Sequence, residues 1–172
     1  AAQVDDLLHG SMGSTLQLQL NAKSPVVTVV RTKKIEVADI EPIMLHNQVL
    51  VLKVKVFQQE TANEIKRLIE DYSRQKIKAV LIDLRNNPGG LLSAAVETAD
   101  LFLDQGILVS TKSRSEGDQQ FQALPGSEFP NLKLGILINK RSASAAEVFT
   151  AAMKEHSRAW VIGEKSYGKG VV

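Results

Sequence analysis

Apolar and polar positions repeat with two different periods along this chain, and the changes of period mark its elements. Thr15-Leu16-Gln17-Leu18-Gln19-Leu20 alternates strictly, which predicts a half-buried strand. Val26 to Val30 predicts a second strand, with Asn21 to Pro25 as the turn between them. Before them, Val4 to Gly10 reads as a short amphipathic helix closed by Gly10 at its C-terminal cap. One helix and a hairpin bury little core, so residues 1–38 are expected to be part of a small domain. Ile40-Glu41-Pro42-Ile43 reads as the boundary. Beyond it, Gln48 to Phe57 alternates again, with Leu50, Leu52, Val54 and Val56 opposing Val49, Val51, Lys53 and Lys55. Thr61 to Gln75 spaces Ile65, Leu68, Ile69 and Tyr72 as one helical stripe. Ala79-Val80-Leu81-Ile82-Asp83-Leu84 is an apolar run of the kind that predicts a strand buried on both faces.

A sharp break at Asn86-Asn87-Pro88-Gly89-Gly90 then leads into a helix over Leu91 to Leu103, with Leu92, Ala95, Val96, Ala99 and Leu103 on one face. Ile107 to Thr111, Leu132 to Asn139 and Ala159 to Gly163 read as strands, and Ala145 to His156 as a helix. Glu116 to Pro130 is polar and turn-rich, a surface loop or hairpin. The alternation of strands and helices predicts an α/β layered fold over residues 45–172, in a second domain drawn at 39–172.

Composition narrows the classes without choosing one. The 172 residues are 44% hydrophobic, 23% charged and 5% aromatic, which excludes disordered and collagen-like chains. No run approaches the roughly 18 apolar residues of a membrane-spanning helix. The 21 Lys and Arg against 19 Asp and Glu form no long basic block, so no nucleic-acid footprint is present. With no Cys there is no disulfide, thiolate metal site or Cys nucleophile, and the compartment stays open. The chain opens on Ala1 rather than Met and ends on Gly170-Val171-Val172, which looks like the start of a strand, so it reads as an internal segment.

Candidate chemistry sits at three junctions, where α/β folds tend to place ligands and catalytic groups. Asp83-Leu84-Arg85-Asn86-Asn87-Pro88-Gly89-Gly90 joins a strand to a helix, and its glycine pair permits close approach by a ligand or is a steric necessity of a tight turn. Arg141-Ser142-Ala143-Ser144-Ala145-Ala146-Glu147 presents a serine at a strand–helix turn, where it can be a nucleophile. The same Ser144-Ala145-Ala146-Glu147 is also a well-formed capping box. Gly163-Glu164-Lys165-Ser166-Tyr167-Gly168-Lys169-Gly170 nearly spells a phosphate-binding loop, but Gly170 stands where the hydroxyl residue belongs.

A serine nucleophile needs a base. His9 lies in the N-terminal part, His46 beside the boundary, and His156 about 18 Å along the helix from Ser144. A Ser–His–Asp triad is therefore not supported. Lysine is the other base for serine, and it acts only when neutral. Lys169, between Gly168 and Gly170 and close to Tyr167, Val171 and Val172, is expected in a tight apolar site.

Together, LIDLRNNPGG at 81–90, INKRSASAAEVFTAAM at 138–153 and RAWVIGEKSYGKG at 158–170 resemble the carboxy-terminal processing peptidases, or tail-specific proteases. These are Ser–Lys endopeptidases of the S41 type, found in the cell envelope and in plastids. The family pattern looks like S-A-S-A-S-E around the nucleophile and G-E-x-[ST]-[FY]-G-K-G around the base. By that resemblance Ser144 is the nucleophile and Lys169 the general base, with the backbone N–H groups of Ala145 and of Gly90 or Gly89 lining an oxyanion hole. The family's third serine is Ala146 here, and its Gln four residues beyond the lysine falls at position 173.

The implied fold is a layered crotonase/ClpP-like core of βα units, preceded by the C-terminal part of a PDZ domain that VDDLLHGSMGSTLQLQL resembles. Implied too are polypeptide substrates with apolar C-terminal tails, an adaptor protein as a possible partner, no cofactor or metal, no nucleic acid, and a bacterial periplasmic or cell-envelope location. A catalytically incompetent relative that binds polypeptide tails is the alternative.

Overall fold

The computed structural model describes residues 11, 13–19, 21–31, 40–112 and 117–170. The expected helix over Val4 to Gly10 lies outside them. The chain divides into two compact units, Ala1–Val37 and Ala38–Val172. In the first, β1 (Thr15–Leu18) pairs antiparallel with β2 (Val27–Val30). The alternation of β1 predicts half burial, yet only Leu16 is half-buried, while Leu18, Val27, Val29 and Val30 are exposed. Two strands alone do not cover each other's apolar faces.

The second unit is built on a five-stranded sheet in the order β3-β4-β5-β8-β9. Its first member, β3 (Ile40–Met44), corrects the reading of Ile40 to Ile43 as a boundary. It is an edge strand, antiparallel to β4 (Val49–Val54), and Pro42 is tolerated there as prolines are at edges. The remaining strands β5 (Ala79–Asp83), β8 (Lys133–Ile138) and β9 (Trp160–Gly163) run parallel to β4.

Helices connect them: α1 (Thr61–Ser73) joins β4 to β5, α2 (Leu92–Asp100) leaves β5, and α3 (Ala145–Glu155) joins β8 to β9. Because the parallel strands advance in one direction across the sheet, right-handed crossovers lay the helices on one face. Contacts of α1 with α2 and of α2 with α3 agree with this arrangement.

That one-sided layering decides what is buried. Leu50, Leu52, Val54, Val80, Ile82, Leu134 and Ile136 point under the helices and are essentially inaccessible, with Phe57, Ile65, Phe102, Phe149 and Met153 filling the core between layers. The alternate residues Val49, Val51, Ala79, Leu81 and Leu137 are only half-buried. The apolar run of β5 thus predicts two covered faces, and one is covered among the described residues. Between α2 and β8, β6 (Ile107–Thr111) pairs antiparallel with β7 (Gln119–Gln122), so part of the polar stretch at 116–130 is a hairpin strand.

Candidate active site

Three loops leave the C-terminal ends of the neighbouring strands β5, β8 and β9 and meet there, the usual ligand position in an open α/β sheet. The loop after β5 begins with an ion pair. Buried Asp83 accepts from Arg85 Nε at 2.9 Å and Nη2 at 2.6 Å. Burial disfavours its charge, but the Arg85 guanidinium and backbone N–H outweigh that and hold the carboxyl below its ordinary range. Asn87 follows, fully buried. Its Nδ2 donates to the Val54 carbonyl at 2.9 Å, its Oδ1 accepts the Gly89 N–H at 2.7 Å, and its carbonyl accepts the Ala143 N–H at 3.0 Å.

One side chain therefore ties the end of β4 to the glycine turn, and its backbone ties that turn to the serine segment. Asn87→Ala orphans a buried carbonyl and a buried N–H. It is expected to cost about 2–4 kcal/mol, read from the urea midpoint, and a loss under about 0.5 kcal/mol would contradict the role.

The loop after β8 contains two serines with different positions. Ser142 is buried, donating to the Leu84 carbonyl at 2.7 Å and accepting the Asn139 N–H at 3.0 Å, which holds the turn together. Ser144 caps α3 at φ +55°, ψ −122°. A side chain in that region costs on the order of 1–3 kcal/mol and persists where its surroundings over-determine it.

Here the surroundings are the capping box that the sequence offers and the glycine turn of 89–90. Glu147 Oε2 accepts the Ser144 N–H at 2.9 Å. A Cβ on Gly89 would lie 2.7 Å from Ser144 Cβ and 3.0 Å from the Ala145 nitrogen, so only glycine lets the two turns touch. Of the three expected backbone donors, Gly89 N–H is taken by Asn87. The N–H groups of Gly90 and Ala145 have no acceptor among the described residues.

The loop after β9 folds back over the start of α3. Tyr167 N–H donates to the Ser142 carbonyl at 3.0 Å, Gly168 N–H to Glu147 Oε1 at 2.6 Å, and Lys169 N–H to Glu147 Oε2 at 3.0 Å. Ser144 and Lys169 thus share one carboxylate oxygen. Burial works against the Glu147 charge, but the Ser166 side chain and the N–H groups of Gly168, Lys169 and Ser144 prevail and hold its carboxyl below the ordinary value. From the sequence Glu147 is legible only as a cap partner. Its hold on the lysine loop depends on a fold-back that local spacing does not encode.

Ser144 and Lys169 line one cavity of about 580 Å³, with Leu92, Val109, Ala145 and Val148 as its apolar wall. Lys169 itself is exposed, as is Tyr167, and Val171 and Val172 lie outside the described residues. The tight apolar setting expected for the lysine is therefore not formed by the residues described. Neither described histidine substitutes for it: His46 is exposed in the β3–β4 turn, and His156 Nε2 is 2.9 Å from the Ile107 carbonyl. His9 lies outside the described residues. Gly168-Lys169 is followed by no helix within the described residues, unlike a phosphate-binding loop.

Comparison with known proteins places relatives beside this geometry. The model of the family described as Peptidase family S41 matches residues 48–172. A probable CtpA-like serine protease of Staphylococcus haemolyticus is 35% identical over 173 residues, spanning 99% of this chain and 35% of that protein. The protein of the same description from Staphylococcus epidermidis is 38% identical over 175 residues, with the same coverage. The chain therefore spans about a third of the length of these relatives. Among solved structures, the photosystem II D1 C-terminal processing protease superposes with a TM-score of 0.69 over 99% of this chain and 48% of that one, at 24% identity, a likeness of fold.

Proposed function

The chain belongs to peptidase family S41, and from that membership we propose that it carries the Ser–Lys centre of a serine endopeptidase that cleaves proteins at or near their C-terminal tails. Ser144 is the nucleophile and Lys169 the general base. The Lys169 amine takes the Ser144 hydroxyl proton as the oxygen attacks the scissile carbonyl, and the resulting oxyanion is held by the N–H groups of Gly90 and Ala145. The lysine then returns the proton to the leaving amine. Water attacks the acyl-enzyme by the same route in reverse. The observation that supports this reading most is that Ser144 and Lys169 open onto one cavity, with their backbone N–H groups on the same Glu147 oxygen. Residues 1–38 are assigned, as part of the same proposal, to the C-terminal part of a PDZ-like domain.

The test is covalent. A serine-directed fluorophosphonate is expected to label the protein once, at Ser144, as mapped by peptide mass spectrometry. Ser144→Ala should take up no label, and Lys169→Ala should be labelled at least about tenfold more slowly, because its nucleophile has lost its base. Undiminished labelling of Ser144→Ala would remove Ser144 from the mechanism and leave it as a helix cap.

A further inference from the structure

Beside the strained serine turn lies a second basin, of about 620 Å³, lined by Pro88, Lys140, Arg141, Ala143, Tyr167 and Lys169. Lys169 is common to it and to the cavity that Ser144 lines, so the two adjoin across the lysine. Its apolar lining comes from Pro88, Ala143 and Tyr167. Its charged groups are all cationic, and no acidic residue lines it. Lys140 and Arg141 are exposed, and their side chains have no ion-pair or hydrogen-bond partner among the described residues. Unpaired exposed cations occur elsewhere in this unit too, Lys76 and Lys165 among them, so what distinguishes Lys140 and Arg141 is their place in this basin beside the serine turn.

The turn that carries these two cations is held rigidly. Arg141 N–H donates to Asn139 Oδ1 at 3.1 Å, and Asn139 exchanges hydrogen bonds with Asn86, its Oδ1 accepting the N–H at 3.0 Å and its Nδ2 donating to Oδ1 at 3.1 Å. Ala143, two residues on, is tied to Asn87, and Tyr167 to Ser142. The backbone that carries two unneutralised cations is thereby fixed next to the serine turn, in a basin with an apolar lining. What fits is an apolar segment that ends in a carboxylate.

We propose that Lys140 and Arg141 read the free α-carboxylate of a substrate's C-terminal tail, making them specificity-determining residues of the catalytic unit itself. The tail's last apolar side chains lie over Pro88, Ala143 and Tyr167, so this basin holds the leaving fragment. Lys112, which lines the Ser144 cavity together with Lys169 and does not line this basin, is not assigned this role. The proposal rests on the peptidase reading above and deepens it.

The experiment compares three versions of one fluorogenic peptide with an apolar tail: the free acid, the C-terminal amide, and an amide whose last residue is Glu. The full chain, a Lys140→Gln/Arg141→Gln double variant and Lys112→Gln are each assayed for kcat/KM. In the parent the free acid is expected to be cut about three- to tenfold better than the amide, the range for an exposed but doubly charge-assisted contact. That ratio should fall to about one in the double variant and survive in Lys112→Gln. A parent ratio near one, a ratio that persists in the double variant, or a ratio lost in Lys112→Gln would each overturn the proposal. Rescue of cleavage by the Glu-ended amide would transfer recognition to acidic side chains, overturning the α-carboxylate assignment. The Kd values of the acid and amide for Ser144→Ala, with and without the double change, decide the same question without catalysis. Failure of the peptidase reading is separate, seen as absence of phosphonate label and of all cleavage while the Kd ratio is still measured.

Discussion

Glu147→Ala is expected to lower kcat/KM about 100- to 1,000-fold with the fold retained. The carboxylate gathers the N–H groups of Ser144, Gly168 and Lys169 and the Ser166 side chain, so it sets the distance between the proposed nucleophile and base without touching substrate. Truncation frees the 166–169 loop, and a shift of about 1 Å in a reacting group is enough for a hundredfold loss. Glu147→Gln keeps the volume but replaces one accepting oxygen by an NH2 that faces a donor, so an intermediate loss is expected, about 10- to 100-fold. The pH dependence separates a positioning role from mere packing. The folded carboxyl lies below its ordinary value, so its contribution is present above the unfolded carboxylate pKa of about 4.3 and is lost as pH falls through the folded value. The thermal stability advantage of the parent over Glu147→Gln should hold from pH 7 to about 5 and shrink below it. Parent-like turnover by Glu147→Ala would sink the positioning role, and a pH-independent stability gap would reduce Glu147 to packing.

Much of this unit is legible in the chain because its layers are simple. The alternation of Leu50, Leu52 and Val54 places them on the helix-covered face of β4, where they are inaccessible. The serine turn and the glycine turn stand out because each needs unusual residues: a small run around Ser144, and glycines where φ is +109° and +128°. What escapes a local reading is long-range. Pro42 disguises β3 as a boundary, since an edge strand does not require its N–H. The apolar character of β5 reports its neighbours in the sheet, not cover on both faces. Asn87 reads as one more turn residue because its partners, Val54 and Ala143, are far from it in sequence. Lys169 is exposed among the described residues, and its flanking glycines do not encode whether segments distant in sequence cover it.

Gly90→Ala is expected to cost more than about 4 kcal/mol, a large part of the 5–15 kcal/mol that holds a domain folded. An added Cβ would lie 2.1 Å from the Phe57 carbonyl oxygen, 2.8 Å from its carbon and 2.9 Å from its nitrogen, all backbone atoms that cannot swing aside. Moving Phe57 away breaks the bonds closing this bridge, Phe57 N–H to Gly89 at 2.7 Å and Leu91 N–H to Phe57 at 2.9 Å. It also pulls a fully buried ring off Phe149, 6.0 Å away between centroids. The φ of +128° adds strain of its own for any side chain. Gly126→Ala is the control: its φ of +101° brings strain of about 1 kcal/mol, but its Cβ meets nothing within 4 Å. Urea midpoints or soluble yields that match in the two variants would refute the close approach at Gly90. The expected large gap between them identifies why this glycine serves the proposed site. The bridge that forbids a side chain uses the Gly89 carbonyl and the Leu91 N–H, and leaves the Gly90 N–H without an acceptor among the described residues, available to an oxyanion.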